Sequence, residues 1–402
     1  MKRNTVLFLL FTLIIVAACQ KMTKAPAEDE TMSAPLTGLT PQQNKLFMEG
    51  AKEFDEFYTA EKGLGPIFVA TSCSGCHAGD NKGHPFTALT RFGQKDTNGN
   101  TFLDKGAPQL QHRAIPGYVP EELPAGATSS KFIAPIVAGV GFIDLVPDWD
   151  ILALADPNDA NSDGISGVPQ WKNIPAWVTP RESAPVKNGR YLCRFGRKAG
   201  AYNLIQQVAG AYNNDMGLTT KFLPANPYNT AIGQDPLKNE DVEIPDKNFN
   251  ANLFYLQTLQ TPFQRNRNES SVVNGKNLFK EVGCENCHKE TLKTGYSSIP
   301  QLSYKEFHPY TDLLLHDMGT ELDDHYTEGY ALTSEWRTTP LWGVGLSSDA
   351  QGGEWYLLHD GRARSFDEAI QYHGGEGSKS RTAYNVLGES EKKDLFKFLE
   401  SL

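Results

Sequence analysis

Apolar residues recur at helical spacing in several stretches of the chain and alternate with a period of two in few. Leu46, Phe47, Ala51, Phe54, Phe57 and Tyr58 fall on one face of a helix, and Val272, Val273, Leu278, Phe279 and Val282 repeat the arrangement. An apolar helix is expected around Leu253 to Leu259. The last helix, Glu391 to Leu402, carries Leu395, Phe396, Phe398, Leu399 and Leu402 as one stripe. A shorter one is read in Pro147 to Asp156. The stretch between the first helix and Leu253 is too long for a loop and must carry structure of its own. Gly, Pro and Asn are frequent elsewhere, so the pattern predicts a mainly helical chain with long loops.

The apolar run from Val6 to Val16 has a different character. Lys2 and Arg3 precede it, Ala17, Ala18 and Cys19 follow it, and it is too short to span a membrane comfortably. Small residues ending in Cys resemble a bacterial lipobox. Residues 1–18 are therefore expected to be a lipoprotein signal, Cys19 to carry the lipid, and 19–40, rich in Ala, Pro and Thr, to form a flexible tether. Gln20 after the Cys favours sorting to the outer membrane, facing the periplasm. At 402 residues the chain has room for two or three domains, and its net charge of -10 disfavours nucleic acid and anionic membrane surfaces as partners. Contact with the membrane is expected through the lipid alone.

Two motifs organise the rest, Cys73-Ser74-Gly75-Cys76-His77 and Cys284-Glu285-Asn286-Cys287-His288. In C-x-x-C-H the two thiols stand one turn apart and add to the vinyl groups of one haem, while the imidazole meets its iron. Neither a zinc site nor a redox CxxC needs the His, and here it occurs twice, each time after an amphipathic helix. Two covalent haem c groups are expected, in two cytochrome c-like domains: 41–262, with an extended insertion, and 263–402. The sequence has 6 cysteines. With Cys19, Cys73, Cys76, Cys284 and Cys287 assigned, Cys193 has no disulfide partner and reads as a buried small hydrophobe. Asp159, Asn161 and Asp163 before Gly164 open two readings: a calcium loop without the acidic twelfth ligand, since Gln170 stands there, or a turn held by its own Asx side chains. Asp96 to Asn100 is a fainter copy.

The chain resembles the bacterial di-haem oxidoreductases, relatives of the di-haem cytochrome c peroxidases. The resemblance is carried by Pro147-Asp148-Trp149-Asp150 with Asp163-Gly164-Ile165-Ser166-Gly167, by Arg194-Phe195-Gly196-Arg197-Lys198-Ala199, and by Asp215-Met216-Gly217. It continues through the segments Pro309 to Gly319, Glu335 to Trp342 and Leu358 to Ala363. The resemblance implies that the first haem, on His77, meets peroxide and that the second, on His288, takes electrons from a small redox protein. Asp215 falls where the peroxidases hold a catalytic Glu, one methylene shorter. Their Gln falls near Gln206 or Gln207, with Gln207 preferred. His373 falls on the position of the second haem's distal Met, with Met318 and Met216 as the thioether alternatives. His84 stands at the wrong spacing for a distal ligand of the first haem. Arg337, in a segment near the second haem with His316 and His359, could pair with a propionate, and Trp171 or Trp177 could relay an electron. The expected activity is reduction of hydrogen peroxide or another small oxidant. Two other classes fit the same motifs: a pure electron carrier, and an oxidase of a protein or organic partner linked to iron acquisition.

Overall fold

A computed structural model describes residues 27–94, 100–234 and 242–402. The apolar run, Cys19 and the Asp96 to Gly99 turn lie outside the described residues. No described helix is long and apolar enough to cross a membrane.

Among the described residues, five helices of 12 residues or more form the frame: Pro41–Asp55, Leu204–Met216, Asp246–Gln257, Ser270–Glu281 and Glu389–Ser401. The first is started by its sequence. Thr40 accepts from Gln43 N, the Gln43 side chain returns a bond to Thr40 N, and Pro41 occupies the first turn, where no N–H is needed. Two pairs of helices cross closely, and a glycine makes each crossing. A Cβ on Gly50 would collide with the carbonyl of Ala251, and one on Gly275 with the carbonyl of Asp394. Aromatic side chains fill the crossings: Phe47 and Phe54 against Tyr255, at 4.9 and 5.4 Å between ring centres, and Phe279 against Phe398 at 5.2 Å.

The chain is not the mainly α, cytochrome c-like fold that the hydrophobic pattern predicts. It is 36% helical and 12% strand, a mixed α/β architecture with small sheets. Leu89–Gly93 pairs antiparallel with Thr128–Phe132, Gln170–Lys172 and Val186–Lys187 flank Arg190–Cys193, and Leu315–Asp317 pairs with Glu335–Arg337. Strands of two to five residues show at most one or two alternations of side chain, so a period of two has no length in which to appear.

The segment read as tether is also partly built in. Met32 and Leu36 are buried, Met32 N donates to Asp80, and Leu36 N donates to Thr258 O at 2.7 Å. The larger apolar core holds Phe54, Tyr212 and Leu256 together with Phe307, Leu314 and Trp342, so it draws on both sides of residue 262. A second core gathers Val272, Phe279, Tyr384, Leu395 and Phe398.

Candidate active site

Ser72 caps the single turn Cys73–Cys76 by accepting from Gly75 N at 2.9 Å, and His77 N closes it on Cys73 O at 2.9 Å. The turn faces both thiols and the imidazole to one cavity. His77 Nδ1 lies 3.0 Å from Pro135 O. A carbonyl only accepts, so Nδ1 carries the proton and Nε2 keeps a bare lone pair. Burial pushes the ring down to about 4, which keeps it neutral. The second motif repeats the geometry from a 3-10 turn, Cys284–Asn286, entered through Gly283 at φ 84°. His288 Nδ1 lies 3.0 Å from Tyr310 O, and burial again sets its pKa at about 4. Phe54 and Phe279 flank the two rings at 5.9 and 6.3 Å.

Both motifs line one continuous cavity of ≈ 690 Å³. His373 lines it too, half-buried, with Nδ1 2.7 Å from Ala369 O and Nε2 therefore available, and its charge acts on His288. Met318 and Met216 also reach the wall. The cavity wall carries the carboxyl groups of Asp215, Glu328 and Glu376 together with several cations. Arg197 and Arg337 are buried in its wall, and among the described residues neither forms an ion pair. Arg197 donates to Ile133 O and Arg337 to Gly196 O, each at 2.9 Å, and burial lowers both to about 10. Arg197 acts on His77 and on Arg337, and Asp312 acts on Arg337. Two neutral imidazoles with a free nitrogen, four thiols, an apolar wall and unpaired buried guanidinia fit a pair of haems whose propionates supply the missing negative charge. Arg337 was expected in that role. Arg197 was not singled out for it, although its motif was noted.

Asp215 sits on the last turn of the Leu204–Met216 helix, where Gly217 at φ 69° ends the helix, and its backbone O accepts from Val69 and Ala70. The carboxyl lines the cavity beside Cys73 and Cys76 and acts electrostatically on both. Burial raises its pKa to about 6, against the lowering by Gln109 and Arg91. Gln206 and Gln207 reach the cavity but not Asp215, and Gln206 Oε1 accepts from Tyr202 N. The amide on Asp215 is Gln109, whose Nε2 donates to Oδ1 at 2.6 Å. Its contact spans 106 residues of chain and follows no motif, so no sequence signal marks it.

Of the other expected residues, His316 and His359 reach the cavity wall but are held by neighbouring carboxylates. His316 has both ring nitrogens engaged, by Asp312 at 2.8 Å and Glu376 at 2.6 Å, which holds it protonated beside Cys287 and holds Glu376 down to about 2. His359 stacks on Trp336 at 3.6 Å and bonds Asp324 at 2.6 Å. His84 lies between Phe86 and Tyr356, off the cavity wall. Trp177 lines the cavity and Trp171 does not. In the Asp159 to Gly164 loop, Asp159 Oδ1 accepts from Gly164 N, Asn161 Oδ1 from Asp163 N, and Asp163 Oδ1 from Ile165 N, which is an Asx-turn network. Cys193 is buried with its pKa raised to about 11, as expected of an inert thiol.

A family profile described as "Di-haem oxidoreductase, putative peroxidase" matches residues 128–402. Among curated protein sequences none matches. A solved structure of hydrazine synthase from Kuenenia stuttgartiensis, pressurised with 20 bar xenon, is 14% identical and covers 73% of this chain and 99% of its own. Its TM-score of 0.29 is too low to carry an argument.

Proposed function

The chain belongs to the di-haem oxidoreductase family, and from that premise we propose that it holds two covalent c-type haems and reduces hydrogen peroxide with electrons from a small redox protein. The observation that carries the peroxide reading is Asp215: a half-buried carboxyl on the cavity wall beside the first pair of thiols, with its pKa raised to about 6. Peroxide needs two electrons and two protons to become two waters. The haems, when bound, supply the electrons and the site at which peroxide binds. The protein supplies proton movement. Asp215, ionised, takes the proton from one peroxide oxygen and returns it to the other, which leaves as water, and a pKa near the working pH favours both halves of the transfer. His77 would hold the first haem through its free Nε2, and His288, with His373 on the same cavity wall, would hold the second. An imidazole from His373 in the place of a Met ligand would lower the potential of the second haem and suit it to passing electrons on. The lipobox-like end of the apolar run supports a protein tethered to the outer membrane at Cys19, with its electron donor in the periplasm.

Asp215→Asn keeps the size of the side chain and removes the exchangeable proton. Peroxide consumption by the holoprotein should slow by ~100-fold or more, the range for loss of a general acid–base group, while the visible spectrum of both haems stays as in wild type. Unchanged consumption would leave the protein as an electron carrier.

A further inference from the structure

Asp215 is reached from the C-terminal part of the chain by an unbroken run of side-chain contacts. Glu328 Oε1 lies 3.2 Å from Arg91 Nη2, Arg91 Nη1 donates to Gln109 Oε1 at 3.1 Å, and Gln109 Nε2 donates to Asp215 Oδ1 at 2.6 Å. Each contact dictates the next. A guanidinium has donors only, so Gln109 must turn its oxygen to Arg91 and its nitrogen away. The nitrogen meets a second pure acceptor, Asn214 O, at 3.0 Å, which fixes the same direction independently. With an N–H already on Oδ1, that oxygen is held as an acceptor. The side-chain hydrogen bond of Asp215 among the described residues is this one on Oδ1, and the residue lines the cavity.

We propose that Glu328, Arg91 and Gln109 are positioning residues: they hold Oδ1 of Asp215 as a permanent acceptor, so that Oδ2, on the cavity side, is the oxygen that takes and releases the proton. The inference rests on the peroxide reading of this site for its purpose. Physically, one carboxyl oxygen then carries the whole proton transfer, in one orientation, without a search over rotamers or over the two oxygens. Arg91 is half-buried, and the carboxylate of Glu328, held below its usual range by Arg91, Lys172 and Lys198 once burial is offset, keeps the guanidinium from swinging onto Asp215 itself. An Asp215 paired directly with Arg91 would be locked in the ionised form and could not cycle.

The test reads the proton itself. In infrared spectra of the holoprotein taken across pH, the carboxylic C=O band that is missing in Asp215→Asn reports the titration of Asp215. The groups facing it are Arg91, Cys73 and Cys76, with Glu53 acting on Cys73 and Arg113 on Cys76. Gln109→Met should move its midpoint up by about one pH unit or more, as loss of a hydrogen bond to the charged form does. Arg91→Lys keeps the charge but cannot hold both Gln109 and Glu328, and should move the midpoint in the same direction by less. Glu328→Gln, with Arg91 and Gln109 intact, should broaden the band as the amide loses its fixed direction. A midpoint and band shape unchanged in Gln109→Met, or in both Arg91→Lys and Glu328→Gln if Gln109→Met fails to fold, would overturn the proposal. Peroxide consumption measured on the same samples separates the two readings. A shifted band in a protein whose wild type consumes no peroxide removes the peroxidase and leaves the positioning in place, and consumption with an unmoved band does the reverse.

Discussion

At the scale of single residues, burial is what turns ordinary side chains into chemical groups. Asp215 is raised to about 6 by desolvation, with Gln109 and Arg91 pulling the other way. The sign follows from its charge: below about 6 the carboxyl is protonated and cannot accept from peroxide, so peroxide consumption should rise with pH through about 6 and then level off. Asp215→Asn should lack that limb, which steady-state rates between pH 4 and 8 would show. The same shift acts on stability. A carboxyl with a raised folded pKa contributes stability that is present below its unfolded value, near 3.9, and lost as pH rises through about 6. The Asp312–His316–Glu376 cluster is the opposite case for its carboxylate. Glu376 contributes stability present above its unfolded pKa and lost as pH falls toward about 2, so this ion pair survives mild acid. Much at this scale was legible. The two C-x-x-C-H motifs could be read from spacing, and the fold brings both to one cavity. Asp215 was reached through resemblance. Gln109 and Arg91 were not reachable, because their roles come from a contact between segments with no common pattern.

At the scale of elements, each C-x-x-C-H motif packs its imidazole beside a helix that crosses another with a glycine at the contact. Gly50 rests on the backbone of Ala251 and Gly275 on that of Asp394, where a methyl group would strike a carbonyl oxygen. Backbone cannot yield as a side chain can, so the helices must separate. Gly275→Ala should destabilise by about 1–3 kcal/mol, the usual range for overpacking, and loosen the second haem, which Phe279 flanks through His288. Gly50→Ala should do the same for the first haem. Denaturant midpoints read together with the spin state of each haem would check both, and a spectral change confined to the far haem would break the link drawn between crossing and motif. The hydrophobic stripes located these helices well. The short strands escaped because pairing partners as distant as Leu89 and Phe132 decide them, and nothing local does.

At the scale of the whole molecule, the cavity that takes in both motifs is walled by residues from nearly the full chain, from Phe54 to Leu399. Unpaired Arg197 and Arg337 in that wall are costly without a counter-anion, so the folded state and the haems depend on each other. Mass spectrometry of the denatured protein should find two haems covalently held, and Cys284→Ala with Cys287→Ala should leave one and lower the thermal midpoint. Retention of both haems in that variant would refute attachment at the second motif. Cys19→Ser should release the protein from the membrane fraction with its visible spectrum unaltered, and continued membrane binding would assign the anchor elsewhere.

By itself the sequence determined what lies within a few turns of chain: the amphipathic helices, the two thiol pairs with their imidazoles, and the lone character of Cys193. These depend on spacing, and spacing is written in the chain. The tertiary structure decided the rest. It replaced a mainly helical expectation with a mixed α/β fold of small sheets, seated Met32 and Leu36 against the body, and joined both motifs in one cavity. It also chose Gln109 over Gln206 and Gln207 as the partner of Asp215. The physical reason is that these outcomes depend on which surfaces meet after collapse, where burial and long-range hydrogen bonds outweigh local pattern.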